Sequence, residues 1–243
     1  MRICIDAGHY GKYNRYVLKN GLVRYESKTV WNLSKRLEAE LVKSGAEVIC
    51  TRDNQEIDLA LEERGKLAEG CDFFLSLHTN AGATTADYPL ACCHVDGSSD
   101  DIGLKLARAV DEVMQTEQEA RVWKRDYRSG NGNMLFSPTD NGFCKRAYDK
   151  DYYGVLRGCA SVGVPGVLLE CSFHSNPVVA DWLESEENLD KLAKGLAMVI
   201  VEHFKEKENT VNWEAKYYAV KAKYDSLVYG LENLLNNMKS EGD

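Results

Sequence analysis

LALEERGKLAEGCDFFLSLH, residues 59–78, sets a helical pattern ending at Gly70 directly ahead of a short apolar run that ends on a histidine. A run as apolar as DFFLSLH (72–78) suits a strand buried on both faces. The same order recurs upstream. RICID (2–6) is a buried strand feeding a polar loop with Gly11 and Gly21, and Val30, Leu33, Leu37 and Leu41 recur at helical spacing between Ser27 and Ser44. Gly45 stops that helix, and AEVICTRD (46–53) is the next strand. Strand and helix in alternation require right-handed crossovers, so the sequence predicts a three-layer α/β fold: a mainly parallel sheet covered by helices on both faces.

Downstream, PLACCHV (89–95) reads as a strand, Ile102–Met114 as a helix and 126–143 as a long polar surface loop. A helix over 147–162, the strongly apolar strand VPGVLLECSF (164–173) and a helix from Asn188 to Phe204 complete the globular part. KEKENTVN (205–212) is expected to break the chain, giving a main domain over 1–207 and a helical tail over 208–243. In that tail Trp213, Tyr217, Val220, Tyr224, Leu227, Leu231, Leu234 and Met238 repeat at alternating spacings of four and three. This is the seam of a helix that docks on the domain or pairs with another chain, as in a homodimer. Gly230 weakens it, and Val228 and Leu235 widen the stripe beyond a strict two-stranded seam.

The 243 residues, 44% hydrophobic and 28% charged with four prolines, describe a soluble globular chain. Its 38 acidic against 30 basic residues, net −8, repel phosphate polymers, so nucleic acid is excluded as a partner. No apolar run spans a membrane and no leader pattern precedes MRICIDAGH, so synthesis in the cytoplasm is expected. Several of the eight cysteines, among them Cys4, Cys50, Cys71 and Cys171, sit in or beside strand-like runs as small core hydrophobes, and no C-x-x-C pair occurs. A reducing compartment fits this usage.

His9, His78 and Glu170 each follow or end a predicted strand, and Glu26 lies just before the first long helix. The C-terminal strand edge of an open parallel sheet is where ligands bind, so these four are expected to meet there. Two imidazoles and a carboxylate give zinc three protein ligands and leave one position open for water. Each histidine taken alone would read as structural. A carboxylate inside VPGVLLECSF, however, is too costly to bury without a function or a buried ion pair.

IDAGHYG, Glu26 ahead of a helix, LSLHTNA and VPGVLLECSFHSNP, in this order, resemble the zinc amidases of the N-acetylmuramoyl-L-alanine amidase family, amidase_3 type, over roughly residues 2–205. The resemblance implies a twisted sheet of about six strands, one zinc ion held by His9, Glu26 and His78, and Glu170 as the catalytic carboxylate. It implies peptidoglycan as substrate, cut at the amide between N-acetylmuramic acid and L-alanine. Glu170 would take a proton from the attacking water and deliver it to the leaving amine. Ala7 stands where the family usually has Pro and Tyr10 where it has Gly, and neither removes a ligand.

Four further residues carry open readings. Asp6 fixes a histidine tautomer or bonds the loop, and Asn80 supports the ligands from behind. Arg157, on a helix that the resemblance places beside the cleft, pairs with a stem-peptide carboxylate or forms a surface salt bridge. His174, where the family usually has an aliphatic residue, assists at the substrate or is a plain polar histidine. His94, His203, Cys144 and Cys159 have no supporting context. The rival functions are a zinc peptidase or carboxypeptidase cutting within the stem peptide, and an inactive wall-binding module. Without a leader, a phage endolysin or an autolysin reaching the wall after lysis fits, yet the acidic chain and short tail provide no separate wall-gripping domain.

Overall fold

The computed structural model describes residues 1–125 and 150–240, the side chains of 208–212 and 233–240 excepted. The expected loop 126–143 and the start of the expected 147–162 helix lie outside the described residues. The chain divides into Met1–Val201 and Glu202–Asp243.

In chain order the elements are β1 (Arg2–Ala7), β2 (Arg15–Val17), β3 (Val23–Tyr25), α1 (Glu26–Lys43), β4 (Glu47–Cys50), α2 (Leu61–Lys66), β5 (Phe73–Asn80), β6 (Leu90–Cys93), α3 (Asp100–Met114), β7 (Arg121–Lys124), α4 (Gly154–Ser161), β8 (Gly166–Phe173), α5 (Pro177–Glu184) and α6 (Glu186–Ser240). Six strands form one sheet in the order β4-β1-β5-β8-β6-β7. β4, β1, β5 and β8 run parallel, while β6 is antiparallel to β8 and parallel to β7. The sheet is therefore mainly parallel, as its apolar, two-sided strands predict.

α2 and α4 belong to the face of Cys4, Phe74, Leu90, Cys92 and Leu168, where Val155, Leu156 and Cys159 of α4 join one core cluster. α3 covers the other face, where Gly103 lies against Cys93, Ala91 and Val167. α1 packs along β1, β4 and β5. It has no side-chain cap at Tyr25, but it buries Val30, Leu33, Leu37 and Leu41 almost completely. Each such side chain contributes roughly 1.5–3 kcal/mol, several times a missing cap, so packing sets the position of its first residue.

Several elements depart from the sequence reading. β2 and β3 form an antiparallel hairpin where a polar loop is expected, since three-residue strands are too short to show alternation. β7 and α5 are additional, and α5 does carry a start signal: Pro177 follows Asn176, whose side chain accepts the Val178 N–H. α2 is shorter than 59–70. Gly65 in α2 and Gly158 in α4 let the two helices touch, because a Cβ at Gly65 would stand 2.1 Å from the Val155 carbonyl oxygen. α6 runs through 205–212 without a break. That segment is polar in sequence but for Val211, yet its Lys and Glu are good helix formers and it holds no Gly or Pro.

Candidate metal centre

β1 delivers Gly8 and His9 to the sheet edge. Gly8 is needed there because the His78 imidazole would lie 2.4 Å from a Cβ at that position. His9 takes φ +58°, a left-handed conformation that costs a residue with a side chain. Its ring stacks on Tyr13 at 4.6 Å and meets His78 edge-on at 4.8 Å.

Glu26 is the first residue of α1, where the helix dipole favours a negative charge. Its carboxylate is buried. Oε1 accepts the Thr79 N–H at 2.9 Å and lies 3.1 Å from His78 Nδ1. Oε2 lies 3.1 Å from His9 Nε2 and accepts Asn14 Nδ2 at 2.6 Å. Burial works against the charge, but the hydrogen bonds to His78 and His9 outweigh it and hold the carboxyl below the usual carboxylate range. His78 is pushed the opposite way: burial disfavours its charge, yet Glu26 raises it to about 9.

The donors fit a small cation. One ligand atom from each of His9, Glu26 and His78 lies within 4.8 Å of the others. Each imidazole nitrogen stands 3.1 Å from a different oxygen of Glu26, which holds both rings beside one carboxylate. A borderline cation accepting two imidazoles and one carboxylate matches this set.

β8 brings Glu170 into register with His78 of β5, and the strand pairing slips between His78 and Asn80. Bulges beside functional sites re-aim side chains in this way. The three donors, Glu170, Asn80, Tyr10, Tyr13 and Tyr153 share one cleft of about 600 Å³. Glu170 Oε2 is buried there and has no hydrogen-bond partner among the described residues. Burial pushes its carboxyl up to about 7, with His78 pulling down and Glu26 pushing up.

The remaining predicted residues lie as follows. Asp6 is fully buried and accepts the hydroxyls of Thr51 and Ser76, each at 2.7 Å, with Arg64 3.8 Å away, so it ties β1 to its neighbours. Asn80 lines the cleft, its Oδ1 accepting the Ala81 N–H. Arg157 donates to Glu62 at 2.8 Å and to the carbonyls of Asp151 and Tyr152, which fastens the chain ahead of α4. His174 is buried behind the cleft, 2.8 Å from the Thr79 hydroxyl and 5.1 Å from the Tyr16 ring, and burial lowers its pKa.

Two residues went unread in the sequence. Asn14, at φ +52°, spans Glu26 Oε2 and His9 Nε2, the latter at 3.1 Å. Arg64 is buried in the cleft wall, donating to the Leu59 carbonyl and to Asp58. Neither has a spacing signal; Arg64 shows only as a charge in a short helix.

Comparison with known proteins identifies the family. The family profile described as Amidase_3, N-acetylmuramoyl-L-alanine amidase, matches residues 3–202. A search of curated proteins finds no match. Among solved structures, the N-acetylmuramoyl-L-alanine amidase from Clostridium difficile 630 is 21% identical with a TM-score of 0.64, over 85% of this chain and 97% of that one. The catalytic domain of CwlV from Bacillus (Paenibacillus) polymyxa var. colistinus is 21% identical with a TM-score of 0.60, over 84% and 98%. Cwp6 from Clostridium difficile is 22% identical with a TM-score of 0.63 over 83% of this chain, which spans only 29% of Cwp6. The structural likenesses establish the fold, and with the profile matching most of its length the chain belongs to the amidase_3 family of N-acetylmuramoyl-L-alanine amidases.

Proposed function

We propose that His9, Glu26 and His78 hold one zinc ion and that Glu170 moves the proton as the chain hydrolyses the amide between N-acetylmuramic acid and L-alanine. The family's activity is hydrolysis of that peptidoglycan amide. The observation that carries the residue roles is the buried, unpartnered Glu170 Oε2 in the same cleft as the three donors. A carboxylate beside the donors with an unused hydrogen-bonding position is a group that can take a water proton. Zinc in such a set supplies Lewis acidity, polarising a carbonyl and lowering the pKa of water towards about 7.

Glu170 accepts the proton of the attacking water as its oxygen bonds to the carbonyl carbon, then returns it to the amine nitrogen as the C–N bond breaks. Glu26 is locked by Thr79 and Asn14, so its charge is placed before any cation arrives. Tyr10 and Tyr13, both well exposed, offer flat faces to a sugar or peptide on the His9 side.

No helix among the described residues is long and apolar enough to cross a membrane. Six of the seven cysteines described are buried as small core side chains, a usage that supports synthesis in a reducing compartment.

Mass spectrometry of digested peptidoglycan tests the reading. Stem peptides with a free L-alanine amine are expected, formation stopping with chelator and resuming with added zinc. Cuts between amino acids would establish the peptidase instead, and neither cleavage nor bound zinc would leave a wall-binding module.

A further inference from the structure

The helix of the smaller unit presents Trp213, Tyr217, Val220, Tyr224, Leu227 and Leu231 at alternating spacings of four and three, each with 59% to 72% of its surface exposed. The sequence continues the register with Leu at 234 and Met at 238. A strict repeat of 3.5 residues is the pattern that keeps one helix in contact with another over several turns, because the pair supercoils to hold the seam. We propose that this face pairs with the same face of a second copy of the chain, the two helices running antiparallel.

The orientation follows from what each arrangement brings together. In heptad terms Trp213, Val220 and Leu227 occupy d, and Tyr217, Tyr224 and Leu231 occupy a. A parallel pair sets each residue on its own copy, which stacks Trp213 on Trp213 and both seam tyrosines on themselves. It also brings Lys216 at g against Lys221 at e of the other helix, a like-charge contact.

An antiparallel pair centred between Asp225 and Ser226 removes both conflicts. Tyr224 then faces Leu227 of the second copy and Val220 faces Leu231, while Trp213 and Tyr217 meet positions 238 and 234, filled by Met and Leu. Among the side chains described, Tyr224 lies against leucine and no ring meets its own copy, the large-with-small alternation that fills a seam. On the flanks Lys221 lies beside Val228, over which its methylene stem can pack. Lys223 lies beside Gly230, around which there is open space for a Cβ. Gly230, which only weakens a lone helix, thereby becomes room for a lysine. No lysine meets a lysine in this register. The exposed Tyr218 and Tyr229 lie off the seam.

Light scattering on the full chain should give twice the 27.3 kDa of one copy. Tyr224→Glu with Leu227→Glu should return the mass to that of a monomer while wall hydrolysis persists. Orientation is read with a short thiol-bridging reagent, wild type serving as the control for native cysteines. Val220→Cys mixed with Leu231→Cys should give a covalent dimer, and Val220→Cys alone should not. A monomer at every concentration, whether its helix is free or docked elsewhere, overturns the proposal. So does a Val220→Cys chain that bridges to itself, which marks a parallel pair.

Discussion

Two buried carboxylates in this molecule each hold imidazole, and only one of them builds a site. Glu26 gathers His9 and His78, each at 3.1 Å, on the wall of an open cleft. Asp151 holds His94 Nδ1 at 2.6 Å and takes the Val95 N–H on its other oxygen, while Cys159 Sγ lies 3.5 Å from His94 Nε2. By residue type the second cluster, Asp–His–Cys, looks like a nucleophile with its base. Yet His94, Asp151 and Cys159 are all 5% exposed or less, and the space beside Gly166 is filled by the Cys159 sulfur and the His94 ring. Chemistry follows unused hydrogen-bonding capacity beside a cleft: Glu170 Oε2 is buried next to the metal donors with no partner among the described residues, whereas the sealed cluster closes on itself. The sealed cluster instead fixes the chain at Asp151, two residues ahead of the cleft-lining Tyr153.

The contrast is most exposed at Glu170. Glu170→Ala should lower kcat by about 10²–10⁴-fold, the usual worth of a proton-transferring side chain, while metal analysis still finds one zinc per chain. Full activity in that variant would leave the cleft with a metal set but no base.

At the sealed cluster the same kind of substitution should strike stability. His94→Ala strands the Asp151 charge and should cost about 3 kcal/mol in urea unfolding, with zinc content and the activity of the folded fraction unchanged. Lost activity in the folded fraction would abolish the distinction between the two regions. The sign with pH follows from the ring's environment. Burial opposes the charged imidazole, but the hydrogen bond to Asp151 outweighs it and pushes the pKa up to about 10. A raised folded-state value contributes stability that is complete below the unfolded value of about 6.5 and is lost as pH rises through about 10. The wild type should therefore lose stability over that window relative to His94→Ala; equal slopes would place a neutral ring at position 94.

The cleft was the more legible of the two regions, for reasons of geometry. His9 follows one strand and His78 lies near the end of another, Glu26 opens a helix and Glu170 sits in a run too apolar to hold a carboxylate idly, so topology carries them to one edge. Asn14 was not legible, because a single left-handed residue in a loop has no periodicity. Asp6 was read with loop bonding or tautomer fixing in view, and its partners proved to be the hydroxyls of Thr51, just past β4, and Ser76 in β5, which only the sheet order brings beside it. The His94 cluster was invisible because its members lie 57 and 65 residues apart and none stands against its local pattern. Alternation of strand and helix revealed the parallel sheet, but β2 and β3, three residues each, are too short to show a pattern, and β7 holds two apolar residues between two charges, unlike the equally short but wholly apolar β6.

A smaller effect probes the ground between the two regions. His174 is buried and closed to the cleft, like His94, yet it reaches the metal set through one intermediary: its Nδ1 meets the Thr79 hydroxyl, and the Thr79 N–H donates to Glu26 Oε1. If that chain holds the carboxylate in place, His174→Leu should weaken zinc affinity by about 10-fold, the lower end for residues that orient ligands, with kcat at saturating zinc little changed. His174→Asn, which keeps a polar partner for the hydroxyl, should recover most of the affinity. Zinc titration against a competing chelator measures both. Unaltered affinity in His174→Leu would mean that the Thr79 backbone alone positions Glu26, and would move His174 to the side of the sealed cluster, a residue that stabilises the fold without reaching the chemistry.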